Sequence, residues 1–162
     1  MSACSDHERD NEHKFGYRRA FPFKGFFLKF DSHNTFKCEV MTLQYVSELA
    51  AKDSNAPRVP QVLHYFHEPQ GMGYLVMDLI QFAEVSFEDL AEKAAHAVRW
   101  MRTVPVPDDV ILGPRGGGLM SHIVFRDYKA PRKYRSIIAL ERYLNKVSLS
   151  HHILLKKDWF FF

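Results

Sequence analysis

Cysteine is scarce. Cys4 and Cys38 are the only two, too few for a disulfide framework and not at a zinc-ligand spacing. Their scarcity suits a reducing compartment, so a cytoplasmic protein is the expectation. No stretch approaches the roughly 18 apolar residues that a membrane-spanning helix needs, which excludes such a span. Neither sign of charge is in large excess. The 162 residues carry 22 Lys and Arg against 19 Asp and Glu, a net charge of +3. No face-long basic run accompanies it, which argues against nucleic acid as a partner. The opening MSACSDHERDNEHK is polar and charged, unlike a secretory signal. Internal repeats and low-complexity tracts are also missing. What is present is ordinary globular composition, 46% apolar and 25% charged, which excludes wholesale disorder. At this length the expectation is one domain or a piece of a larger one.

Residues 1–14 read as a polar, solvated N-terminal arm. The pattern then changes abruptly to FGYRRAFPFKGFFLKF over 15–30. Aromatics at that density favour strands, and Gly16, Pro22 and Gly25 mark turns. The expectation is a strand near 13–20, a turn around Pro22–Gly25 and a strand over 25–31. Alternation in the second strand sends Phe26, Leu28 and Phe30 one way and Phe27 and Lys29 the other. Phe36, Val40, Leu43, Val46 or Ser47, and Ala50 recur at helical spacing, with Ser32 or Asn34 as cap and DSNAP, ending in Pro57, as stop. Two more strands are expected at 61–67 and 74–79, joined through EPQGMG as a hairpin. A helix is expected over 86–103, with Phe87, Leu90, Ala94, Val98 and Met101 as its buried stripe. A short helix is plausible over 136–146. The fold class is therefore α+β, with a mostly antiparallel sheet and one helix packed on it.

Lys29, flanked by aromatics on a strand, precedes Glu39, in the first turns of the next helix. Kinase folds hold a strand lysine against nucleotide phosphates with a helix glutamate in this way. Charged residues are mostly exposed, so a solvated sheet face and a solvated helix face are the plainer reading of these two residues alone.

The order FFLKF, CEVMTLQYV, PRVPQVLHYF, GYLVMDLI resembles the N-terminal lobe of the aminoglycoside phosphotransferase and choline-kinase-like families, within the protein-kinase-like superfamily. The resemblance covers roughly Gly16 to Leu144 and is closest to fungal phosphotransferase-like proteins. It rests on Glu39 and Leu43 (E-x-x-x-L), on Val59, Pro60 and Val62, and on Val76, Met77, Asp78 and Ile80. The segments GPRGGG and LERYLNK add to it. The resemblance implies a kinase-like N-lobe over 15–80, the start of the C-lobe over 81–147 and an atypical apolar tail over 148–162. It also implies Lys29 as the phosphate-binding lysine and Glu39 as its ion-pair partner. Met77, Asp78, Leu79 and Ile80 become the hinge whose main chain faces adenine. ATP is the implied cofactor, with magnesium entering only together with ATP. The implied ancestral reaction is ATP-dependent phosphoryl transfer to a small hydroxyl-bearing substrate.

The sequence departs from that family in three places. No glycine-rich phosphate loop precedes the Lys29 strand. No H-x-D-x-x-x-x-N catalytic loop occurs, and no D-x-D or D-F-G-like segment follows. Asp108, Asp109, Asp127 and Asp158 are the aspartates left to reach a metal, and none stands in such a motif. The expectation is thus a pseudoenzyme, truncated before the catalytic loop, with no catalytic or metal-ligating residue assigned. The alternative is a non-catalytic protein-interaction module, its partner protein meeting the surface exposed by truncation, or an incomplete gene product.

Gly113–Gly118 (GPRGGG) has backbone suited to phosphate but lacks the Lys-Ser or Lys-Thr pair of a phosphate loop, so a structural turn is expected. His64 and His67, three apart on a strand, point to opposite faces, and His151–His152 has no further ligand nearby. The tail ILLKKDWFFF is an association hazard unless something covers it.

Overall fold

The computed structural model describes residues 2–69, 71–81, 83–106, 111–125 and 128–150. Within them the order is α1 (Ser2–Asn11), β1 (Ala20–Phe23), β2 (Phe26–Ser32), α2 (His33–Ala50), β3 (Val62–His67), β4 (Met72–Asp78), α3 (Phe87–Met101) and α4 (Ile137–Ser150). The fold is mixed α+β, with four antiparallel strands in the order β1-β2-β4-β3. The chain divides into two compact units, Met1–Ser86 and Phe87–Phe162.

In the first unit, strand alternation sorts side chains between the two faces of the sheet. Leu75 and Met77 of β4 face α2, where Phe36 and Val40 close a core with Phe27, Leu43, Val62 and Tyr65 around it. Tyr74 and Phe30 face the other way and pack with Cys4 of α1, flanked by Phe21, Leu28 and Met72. β4 is therefore covered on both faces, which is why YLVM reads as a continuous apolar run rather than an alternating one.

The N-terminus differs from the expectation of a solvated arm. Residues 2–11 are helical, and Cys4 is buried against the sheet. Ala3 and Cys4 are the only apolar residues in SACSDHERDN, so no periodic stripe announces the helix. The first strand also lies later than the expected 13–20. Pro22 belongs to β1 because β1 is an edge strand, where a missing N–H costs no ladder bond. The turn is Lys24–Gly25 alone. Both have positive φ, 49° and 85°, between the paired Phe23 and Phe26, as a two-residue hairpin loop requires.

α2 starts three residues before the first apolar repeat. Ser32 is its N-cap residue but makes no side-chain cap bond. Instead the His33 N–H donates to the Gly71 carbonyl at 3.0 Å, and the Asp31 carboxylate accepts from the Ser32 N–H at 2.7 Å. After Ala50 the Asp53 carboxylate accepts from the Asn55 N–H at 2.9 Å, a local turn that ends the helix well before Pro57.

In the second unit, Phe125, Ala130, Tyr134 and Leu144 form a core lined by Leu112, Met120, Leu140 and Tyr143. The GPRGGG segment is a tight turn. Gly113, Gly116 and Gly117 have positive φ, and a Cβ at Gly113 would lie 3.0 Å from the Gly118 carbonyl.

The expected buried stripe of α3 is overturned. Phe87, Leu90, Val98 and Met101 are exposed, Phe87 at 80%, while Trp100 is buried at 7%. Trp100 lies about a third of a turn from the stripe, so the side that packs is not the one that periodicity marks. α4 runs to Ser150, past the expected end at 146 and past the tail boundary set at 148. Residues 151–162, including His151, His152 and Asp158, lie outside the described residues, as do Asp108, Asp109 and Asp127. Among the described residues no helix is long and apolar enough to cross a membrane.

Candidate functional site

Lys29 sits mid-strand in β2, paired across the ladder with Ala20 on one side and Leu75 on the other. Alternation places it beside Phe27 on the face covered by α2. From α2, Phe36 and Glu39 stand three residues apart and so share a face of the helix. The Lys29 ammonium donates to Glu39 Oε1 and lies 5.6 Å from the centre of the Phe36 ring. One helix turn therefore holds the amine by an ion pair and a cation–π contact together. The Lys29 and Glu39 side chains remain 34% and 50% exposed, so their pairing contributes only about 0–1 kcal/mol to stability.

Both residues line a cleft of about 630 Å³ that lies wholly in the first unit. Arg19 lines it too, just before β1. Its guanidinium grips Glu8 of α1 at 2.6 Å and Asp31 of β2 at 3.3 Å. The hydrogen bond to Glu8, ahead of the other influences, raises the pKa of a group that is already always charged. Tyr17 also lines the cleft. Among the described residues its hydroxyl is a buried oxygen with no partner, and burial pushes its pKa up. Arg18 and Glu12 complete the charged wall. The lining thus holds three cations, Arg18, Arg19 and Lys29, and four carboxylates, Glu8, Glu12, Asp31 and Glu39.

Met77, Asp78, Leu79 and Ile80 do not line this cleft. Met77 is buried beneath α2, two positions along β4 from Leu75, the cross-strand neighbour of Lys29. Asp78 has a structural task. Its carboxylate accepts from the Gln61 N–H at 2.5 Å and lies 3.5 Å from Arg58, while its own N–H donates to the Gln61 carbonyl at 3.2 Å. These contacts fasten the start of β3 to the end of β4. The Asp78 N–H is thereby committed, and Leu79 and Ile80 are the part of the segment beyond the strand.

Sequence reasoning missed Arg19, Tyr17, Glu8 and Glu12. Asp6 and Arg9, ion-paired at 2.9 Å three residues apart, were the available sign that the acidic arm is a helix.

A second cluster stands at the N-terminus of α2. The rings of His33 and His67 stack with centroids 3.7 Å apart, and His33 Nδ1 lies 2.8 Å from the Tyr65 hydroxyl. Burial, then His67 and then Lys37, holds the His33 pKa below its ordinary value. Stacked rings direct their in-plane lone pairs past each other and cannot converge on one ion. Among the described residues no three His, Cys, Asp or Glu side chains are grouped so as to hold a metal.

The phosphate part of a nucleotide fits the chemistry of the cleft in one respect, the cations Lys29 and Arg19 in its lining, and is opposed by the carboxylates paired with them. No family model, curated protein or solved structure matches this chain.

Proposed function

We propose that the first unit is a phosphate-binding lobe of the kinase-like type, in which Lys29 grips the phosphates of a nucleotide and Glu39 positions its amine. The observation that carries this reading is the Lys29–Glu39 pair itself, running from a central strand to the helix packed over it. Kinase-like lobes place a phosphate-gripping lysine by the same strand-to-helix pair. The sheet order supports it: the Lys29 strand pairs directly with β4, and the chain reaches β4 through α2 and β3. Leu79 and Ile80, following β4, are the main chain that would meet the base. When bound, ATP would bring the γ-phosphoryl group, and magnesium would arrive with it.

Without H-x-D-x-x-x-x-N or a metal-holding aspartate motif, this chain binds and does not transfer. A small hydroxyl-bearing acceptor belongs to the ancestral reaction. The test is an ATP titration of the wild type and of Lys29→Met by calorimetry, with magnesium present. The reading expects binding that weakens about tenfold or more in the variant, since a charge-assisted contact is lost. Equal affinity in the two proteins, or no binding by either at millimolar ATP, overturns it. A non-catalytic interaction module would then be the reading left, and the exposed apolar residues of α3 favour it.

A further inference from the structure

We infer that α1 is an autoinhibitory strap: Glu8 and Glu12 close the Lys29 cleft electrostatically, and a polyphosphate anion and a docked α1 exclude each other. The inference rests on the phosphate-binding reading and adds to it the element that regulates access.

Three observations converge. The first is charge. Of the four carboxylates lining the cleft, Glu39 and Asp31 belong to the lobe, paired with Lys29 and Arg19. Glu8 and Glu12 come from α1 and the turn after it. With them the wall carries one net negative charge. Without them it carries one net positive charge, from Arg18, Arg19 and Lys29 against Asp31 and Glu39. A cleft whose sign is set by one peripheral helix admits or rejects an anion according to where that helix is.

The second is the contact itself. One Glu8 oxygen, Oε1, occupies Arg19: it accepts from Nε at 2.8 Å and lies 2.6 Å from Nη2. A carboxylate oxygen seated between two guanidinium nitrogens takes donors that a phosphate would use. Asp31 holds the same guanidinium at 3.3 Å, so Arg19 keeps its place on the lobe when Glu8 leaves.

The third is how lightly α1 is held. It spans ten residues, below the length at which an isolated helix is stable in water, so its helicity depends on docking. Cys4 is its one buried apolar side chain, against Phe30 and Tyr74. His7 stacks on Phe21 at 4.3 Å and its Nε2 lies 3.3 Å from the Arg18 carbonyl, and Glu8 adds its exposed pair with Arg19. A strap held by so little is displaceable by a ligand that competes for Arg19. By linkage, the factor by which a docked α1 weakens the ligand is the factor by which bound ligand weakens the docking of α1.

Cys4 reports the position of α1 directly. With Cys38→Ser in the background it is the only thiol, and it is buried only while α1 is docked. Deleting α1 would uncover Phe30 and Tyr74, so the test uses charge-neutralising variants in the full chain. Magnesium-ATP and tripolyphosphate are titrated against wild type, Glu8→Gln with Glu12→Gln, and Lys29→Met, and Cys4 labelling by a thiol reagent is timed with and without ligand.

The strap predicts that the double variant binds both probes roughly three- to tenfold more tightly, that the gain shrinks at high salt, and that ligand accelerates Cys4 labelling. Unchanged affinity in the double variant with Cys4 still protected, while Lys29→Met loses binding, overturns the strap and leaves the phosphate site standing. No binding by any of these proteins overturns both.

Discussion

Gly73 and Tyr65 are diagonal neighbours across the β3–β4 ladder, so close that a Cβ built at position 73 would lie 2.7 Å from the Tyr65 hydroxyl. The same Cβ would come within 3.3 Å of the Phe36 ring. Gly73 is there because its face of β4 is filled from both sides, by Tyr65 on β3 and by Phe36 on α2. Gly73→Ala should therefore destabilise the protein by about 1–3 kcal/mol through overpacking, read as a lowered urea midpoint by circular dichroism. In a Tyr65→Phe background, which removes the clashing oxygen, the cost of the alanine should be smaller. An unchanged midpoint for Gly73→Ala alone would contradict the packing.

His33 and His67 bring a pH dependence to the same end of the lobe. The folded pKa of His33 is lowered by burial first, then by the neighbouring His67 and Lys37. In the unfolded chain His33 takes up a proton as pH falls below about 6.5, while in the folded chain it resists. The unfolded state then binds more protons, so stability falls as pH drops below that value and is fully present above it. Tyr65 Oη at 2.8 Å and the His67 ring are the groups facing His33 from β3, and Lys37 faces it from α2. His33→Gln should flatten the fall in urea midpoint between neutral and mildly acidic pH. A wild-type midpoint that stays level over that range would remove the argument.

α3 supplies a contrast between two kinds of apolar residue. Trp100 is buried at 7%, and Trp100→Ala should cost about 3–5 kcal/mol. Phe87, larger than Leu90 or Val98 and 80% exposed, touches little, so Phe87→Ser should change stability by no more than about 0.5 kcal/mol. The comparison is made by urea unfolding of the two variants side by side. Equal losses would mean that the stripe is packed after all.

The elements most legible in sequence were those whose side chains obey one period. α2 announced itself through Phe36, Val40 and Leu43, and the lobe's strand–strand–helix–strand–strand order followed from aromatic runs broken by Gly and Pro. The approach of Lys29 to Glu39 was legible because strand alternation and helical spacing each fix one side chain's direction. α1 was not legible, since a helix with one buried residue carries no apolar period and depends on the sheet beneath it. The α3 stripe misled for the opposite reason. Its period is clear, but periodicity names an apolar face and not what lies against it. The wall of the cleft was hidden because Glu8 and Arg19 stand eleven residues apart with a helix end and a turn between them.

The last expectation concerns chemistry. Phosphoryl transfer needs the phosphates clamped, the metal held and the acceptor hydroxyl oriented by a carboxylate. Lys29 with Glu39 addresses the first requirement. For the other two, no His-x-Asp occurs anywhere in the chain, and no D-x-D or D-F-G segment follows the Lys29 strand. Loss of such groups removes several orders of magnitude in rate. The purified chain should therefore transfer no phosphoryl group from ATP to aminoglycosides, choline or sugars, measured as ADP release and as labelled product from γ-labelled ATP. It should do so even where calorimetry detects ATP binding, and binding without turnover is what separates a phosphate-gripping lobe from an enzyme. Magnesium-dependent ADP release that vanishes in Lys29→Ala would contradict this. One of Asp108, Asp109, Asp127 or Asp158 would then have to reach the metal, and replacing each in turn by Asn would show which one carries the rate.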